Sequence, residues 1–302
     1  MKKKLNEVLN RPFCVLAYLL LGVMLVASVI SSGVACKGDD STAGGRIGIV
    51  VTILPQVEFV ENVGGEKVSV TVMIPSGASP HTYEPKPSQI RGLAEAEMYA
   101  KIGSGIDFEL TWMDNLIEQN RNMLVVDCSD GVELIEAEGS SDPHIWMSPV
   151  NAQKMVRNIC DGLIEIDPEN RDFYEANYDA YIQEIAKADR GIREALTGIE
   201  NRSFMVYHPA FGYFADEYGL TMMAVEEEGK EPAARSLADL IDEAREQGIK
   251  VIFVEPQFNP KSAEVVAHEI GGRVVAIDPL AEDYIANLSR ITNCIVEAAE
   301  GT

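Results

Sequence analysis

Residues 168–196 read PENRDFYEANYDAYIQEIAKADRGIREAL, a stretch with no internal proline. Pro168 suits a first helical position, where its missing N–H costs nothing. Phe173, Tyr174, Tyr178, Tyr181, Ile182 and Ile185 recur close to helical spacing. A helix of this length reaches roughly 40 Å at about 1.5 Å per residue. That exceeds most helices inside one compact domain. Residues 168–197 therefore read as a rigid spine between an N-terminal lobe, 47–167, and a C-terminal lobe, 198–302.

Short β-branched runs alternate with amphipathic stretches on both sides of the spine. Before it, strands are expected at 46–53 (RIGIVVTI), 68–74, 98–102 and 123–126, with helices at 56–63, 88–98, 107–119 and 151–165. After it, strands are expected at 203–207, 220–225, 250–254 and 273–277. Helices are expected there at 210–218, 237–247, 260–270 and 284–299. This βαβα order predicts an α/β fold in which each lobe carries a parallel sheet covered by helices. No strict internal repeat is visible.

The chain has 302 residues, 25 basic against 48 acidic, and a formal charge of −23. A hydrophobic fraction of 46% with 24% charged residues excludes wholesale disorder. The acidic balance excludes phosphate-backbone recognition, hence nucleic acid, and favours cations as partners.

The N-terminus reads as an export signal over residues 1–35. Lys2, Lys3, Lys4 and Arg11 precede an apolar run from 13 to 30. Ser32-Gly33-Val34-Ala35-Cys36 then resembles a bacterial lipobox, with Gly33 where an aliphatic residue is usual. Lipidation of Cys36 and an uncleaved anchoring helix are both open. Either places the rest of the chain outside the cytoplasm, tethered to a membrane. Polar residues 36–46 read as a flexible tether, and no later apolar run approaches the length of a membrane span. Four basic residues and one acidic residue lie in the leader, so the remainder is more acidic by three charges than the whole chain.

Cys128, Cys160 and Cys294 have spacings unlike zinc ligands. They read as buried structural thiols, with one disulfide left open.

The four histidines are His81, His144, His208 and His268. His81 lies in the loop after the 68–74 strand, and His144 in Asp142-Pro143-His144. His208 directly follows the 203–207 strand, as Asp278 follows 273–277. Ligands of open α/β sheets bind beyond the carboxyl ends of strands. His81 and His144 precede the spine; His208 and Asp278 follow it. Two groups from each lobe thus predict a metal site in the interlobe cleft, and three imidazoles with one carboxylate suit Zn²⁺. Pro80, Pro143 and Pro209 stiffen the loops. His268, in mid-helix, is set aside. Glu84 and Glu255 stand at cleft edges, either as acceptors for a ligand histidine or as solvated loop carboxylates. Phe211, Tyr213 and Phe214 read as lobe core. Neither a G-x-x-x-x-G-K-[ST] loop nor an H-E-x-x-H motif is present.

Six ordered segments are similar to one family: MIPSGASPHTYEPKP (73–87), DPHIWMSP (142–149), YHPAFGYFADEYG (207–219), EPAARSLADL (231–240), IFVEPQFNPKS (252–262) and IDPL (277–280). They resemble the zinc/manganese-type solute-binding proteins of ABC transporters, cluster A-I, also called the metal-binding lipoprotein or adhesin family. With the spine, the likeness extends over nearly all of 47–300. It implies two Rossmann-like lobes, a long rigid linker helix, and His81, His144, His208 and Asp278 as metal ligands. It also implies a monomeric, non-enzymatic component of zinc transport, periplasmic or on the cell surface. That component delivers its ion to a membrane permease driven by a cytoplasmic ATPase. Manganese-preferring members commonly carry a carboxylate at the third position, so His208 favours zinc. The His-rich loop of many zinc members is absent from 130–142. Manganese binding and a metal-stabilised adhesin stay open as alternatives. A metal-dependent hydrolase, and a binding protein for a siderophore or cobalamin, are the readings from other classes.

Overall fold

Strand β1 (Ile47–Val51) is IGIVV, and its last three residues are buried. It runs parallel to β2 (Val68–Val72), Ile47 opposite Val68 and Val51 opposite Val72. On its other side lies β3 (Met98–Lys101), followed by β4 (Leu124–Asp127), giving the order β2-β1-β3-β4. Helices α1 (Pro55–Gly64), α2 (Pro87–Leu93) and α3 (Asp107–Gln119) make the connections. A short antiparallel pair, β5 (Glu136–Ala137) and β6 (Ser140–Ser141), precedes α4 (Pro149–Ile166). This computed structural model describes residues 45–137, 140–226 and 233–301. The leader, most of the tether, Glu138 and the start of the 231–240 segment lie outside the described residues.

Helix α5 (Arg171–Leu196) is the spine, with 26 residues, preceded by a 3-10 turn at Pro168–Asn170. Tyr174, Tyr181, Ile185, Ile192 and Leu196 face inward along it. The second lobe holds β7 (Ser203–Val206), β8 (Thr221–Ala224), β9 (Val251–Val254) and β10 (Arg273–Ala276), all parallel. Its helices are α6 (Gly212–Tyr218), α7 (Ala234–Glu246), α8 (Pro260–Glu269) and α9 (Tyr284–Glu300). Its order, β10-β9-β7-β8, is that of the first lobe: from the other edge, second, first, third and fourth strands. The repeat hidden from the sequence is therefore one of topology. In both sheets the chain reverses direction of growth between the first and third strands, where α/β proteins place ligands.

Helix α2 ends at Leu93, whereas the sequence pattern extends to residue 98. Two local demands stop it. The Glu97 N–H is bonded to the Gly48 carbonyl at 2.9 Å, starting the pairing with β1. The Asn120 amide caps the carbonyls of Leu93 (3.1 Å) and Ala96 (2.8 Å). All three body cysteines are free, Cys128 and Cys160 being buried.

One apolar core runs through both lobes, from Phe59, Val60 and Trp146 across Tyr181 and Ile185 to Phe211, Phe214 and Tyr284. A second cluster, including Met205, Ile252 and Val266, fills the other face of the second sheet. Trp146 donates its indole N–H to Pro279 O at 2.9 Å, and Tyr284 donates its hydroxyl to Trp146 O at 2.8 Å. The described residues from 46 to 301 form one compact unit. Among the described residues no helix is long and apolar enough to cross a membrane.

Candidate metal centre

The loop after β2 turns tightly. Ala78 N–H donates to Pro75 O, Thr82 and Tyr83 N–H to Ser79 O, and His81 N–H to Ser79 Oγ at 3.3 Å. This projects His81 over the sheet edge. His144 enters from a second loop, pinned where buried Ser104 donates to Pro143 O at 2.5 Å. His208 follows β7 directly, and its ring stacks on Phe258 with centroids 4.9 Å apart.

The three imidazoles meet. His208 Nε2 lies 3.2 Å from His81 Nε2 and 3.3 Å from His144 Nε2, and one ligand atom from each falls within 4.8 Å of the others. Each ring's opposite nitrogen faces a carboxylate: His81 Nδ1 to Asp107 at 2.6 Å, His144 Nδ1 to Asp142 at 2.7 Å, His208 Nδ1 to Glu226 at 3.0 Å. A neutral imidazole that donates from Nδ1 keeps its lone pair on Nε2. Three such lone pairs then point into one small space. That conflict is relieved by a cation, and a carboxylate behind each ring also raises the ring's basicity as a ligand.

Burial holds the His208 imidazole down at about 4, with the Glu226 bond opposing and the neighbouring His144 and His81 reinforcing. His208 is thus neutral, and ligand-competent, at neutral pH. Glu255, fully buried on the same cavity, has neither carboxylate oxygen in a hydrogen bond. Burial pushes its acid up to about 8, against the pull of the nearby Glu255 and His208 main-chain amides. The cavity holds about 20 Å³, room for one water-sized occupant. Organic ligands need pockets of roughly 300 Å³ or more, which disfavours a siderophore or cobalamin here.

Asp278, the fourth expected residue, stands outside the trio. Its Oδ1 accepts from Gln257 Nε2 at 3.1 Å and from Leu280 N–H at 2.9 Å, and Asn287 anchors its carbonyl at 2.6 Å. The acceptors for the rings are also different from those expected. Glu84 and Glu255 are not the partners of the histidine Nδ1 atoms; Asp107, Asp142 and Glu226 are. A signal for them existed. Glu226 follows β8, the neighbour of β7, and its N–H bonds Tyr207 O at 2.8 Å, which sets it beside His208. Asp142 is two residues before His144, and Asp107 opens the helix that follows β3. The strand-end criterion used for the histidines admits Glu226 and Asp107 among carboxylates but does not single them out, because Asp127 and Glu255 also stand at strand ends.

The model of the family described as "ZnuA: Zinc-uptake complex component A periplasmic" matches residues 49–298. The chain belongs to this family. The high-affinity zinc uptake system protein ZnuA of Bacillus subtilis is 30% identical over 283 residues, 86% of this chain and 88% of that one. The manganese-binding lipoprotein MntA of Halalkalibacterium halodurans is 30% identical over 258 residues, covering 82% and 84%. Among solved ZnuA structures, one aligns with a TM-score of 0.82 at 42% identity, over 84% of this chain and 99% of that one. The laminin-binding protein Lmb of Streptococcus agalactiae, described as having adhesin and metal-transporting activity, aligns at 0.77 with 25% identity, over 84% and 99%. The two-lobe fold and the metal-transport family expected from the sequence are those found.

Proposed function

We propose that this chain captures Zn²⁺ outside the cytoplasm and hands it to a membrane permease driven by a cytoplasmic ATPase. The observation that carries the reading is the convergence of three Nε2 atoms, each ring held from behind by its own carboxylate. His81, His144 and His208 are the ligands. Asp278 is the carboxylate available to the same ion: both of the side-chain bonds described end on Oδ1. Its turn away from Gln257 would complete a tetrahedral set.

A site of four protein ligands leaves no open position for a catalytic water, so binding rather than hydrolysis is the activity. Three nitrogens favour zinc over manganese, which prefers oxygen donors. The likeness to a manganese-binding lipoprotein makes manganese the second reading. Attachment to the membrane through Cys36 belongs to the same proposal, with a leader removed from residues 1–35.

Metal analysis of protein purified without chelator, together with Zn²⁺/Mn²⁺ competition, tests this. One zinc per chain is expected in the wild type, with loss of stoichiometric zinc in His144→Ala and His208→Ala. Wild-type metal content in both variants would overturn the site, and preferential retention of manganese would move the protein to the second reading.

A further inference from the structure

The three ring–carboxylate pairs differ in their exposure. The His144 and Asp142 side chains are 9% and 12% exposed, and those of His208 and Glu226 are 7% and 5%. The His81 and Asp107 side chains are 27% and 55% exposed. The two inner pairs are also tied down further. Asp142 Oδ1 accepts the His144 main-chain N–H at 2.9 Å, and its carbonyl accepts from Tyr213 Oη at 3.1 Å. Glu226 is fixed through the β7–β8 ladder. His81 sits instead on a loop whose own bonds are turns, and Asp107 reaches it from a separate element, the first residue of α3. That helix start is firmly placed, because Glu109 one turn-step on accepts the N–H groups of Ile102 (2.6 Å) and Gly103 (2.9 Å). The anchor is rigid while the loop it holds is open to water.

We propose that Asp107 is a positioning residue that sets how fast the cation leaves. It holds the His81 ring with Nε2 aimed at His208. When the Asp107–His81 bond opens, the His81 ring turns out to solvent and leaves the ion on His144, His208 and Asp278 with one open position facing water, through which an acceptor ligand can enter and draw it off. Exchange therefore runs through the His81 face, while His144 and His208 stay in place. This rests on the three-histidine reading, which fails separately if the wild type takes up no zinc or if His208→Ala retains it.

The experiment is stopped-flow transfer of Zn²⁺ from loaded protein to excess chelator, paired with association rates into metal-free protein. Asp107→Ala is expected to raise the dissociation rate by roughly tenfold or more and to leave association within about twofold. Asp107→Glu, which keeps an acceptor, is expected to recover most of the slow release. Asp114→Asn, an equal charge change farther along α3, is expected to match wild type. A dissociation rate in Asp107→Ala within about twofold of wild type overturns the proposal. So does a loss confined to association, because that is the signature of long-range attraction alone.

Discussion

At the scale of the residue, the buried carboxyl of Glu255 is one whose ionisation costs the fold. Its pKa, pushed up to about 8 by burial, lies above that of the unfolded chain. The folded protein thus keeps a proton that the unfolded chain has already released, and stability falls as pH rises through the folded value. His208 acts in the opposite sense. Held down at about 4, it contributes stability that is present above the ordinary imidazole range and lost as pH falls toward 4. The two trends oppose each other under mildly acidic conditions. From about pH 6.5 to 8, the ordinary histidine range being passed, the Glu255 trend is no longer opposed by His208, and buried Glu109, also raised by burial, acts in the same direction. Glu255 is expected to contribute a loss on the order of 2 kcal/mol to urea unfolding of metal-free protein across that interval, and Glu255→Gln is expected to make the decline shallower by that share. Equal slopes in the two proteins would show that this carboxyl is not held protonated by the fold.

At the scale of the element, the site depends on where helices and strands begin and end. Gly212 opens α6 against the Asp142 carboxylate: a Cβ there would collide with Asp142 Oδ2. Asp142 cannot yield without releasing His144, whose main-chain N–H and Nδ1 both bond its Oδ1. Gly212→Ala is therefore expected to weaken zinc binding by about tenfold or more in chelator competition, although alanine is the better helix former. Unchanged affinity would mean that Asp142 does not orient His144. Element scale is also where the sequence was most and least legible. Strands and helices could be read because the runs are short, β-branched and punctuated by Gly and Pro. The three histidines stood out because they are scarce and share one loop context. Asp107, Asp142 and Glu226 were harder to pick out among 48 acidic residues, since their roles come from the register of β7 with β8 and from the packing of loops. Asp278 was legible as a strand-end residue, but its bonds to Gln257 and Leu280 were not, as they depend on the fold of a neighbouring loop.

At the scale of the whole molecule, the lobes share a single apolar core, and the long helix is part of it rather than a free hinge. Trp146 and Tyr284 fasten the first lobe to the second beside the histidines. A continuous core of this kind resists large rotation, since interiors pack at near-crystal density, and it leaves ion exchange to surface loops. The strong negative charge has a modest place in this picture. Three carboxylates stand behind the rings, Glu255 lies buried beside them and Asp278 is the proposed fourth ligand, while the remaining acidic residues at most raise the local concentration of cations. In the proposed site, selectivity rests on three inward-facing nitrogens. X-ray absorption at the zinc edge, on protein loaded with one equivalent, interrogates those nitrogens directly. Coordination by His81, His144 and His208 predicts three imidazole nitrogens at about 2.0–2.1 Å with an oxygen completing the shell. A sulfur scatterer at about 2.3 Å, or an oxygen-only shell without imidazole scattering, would contradict it.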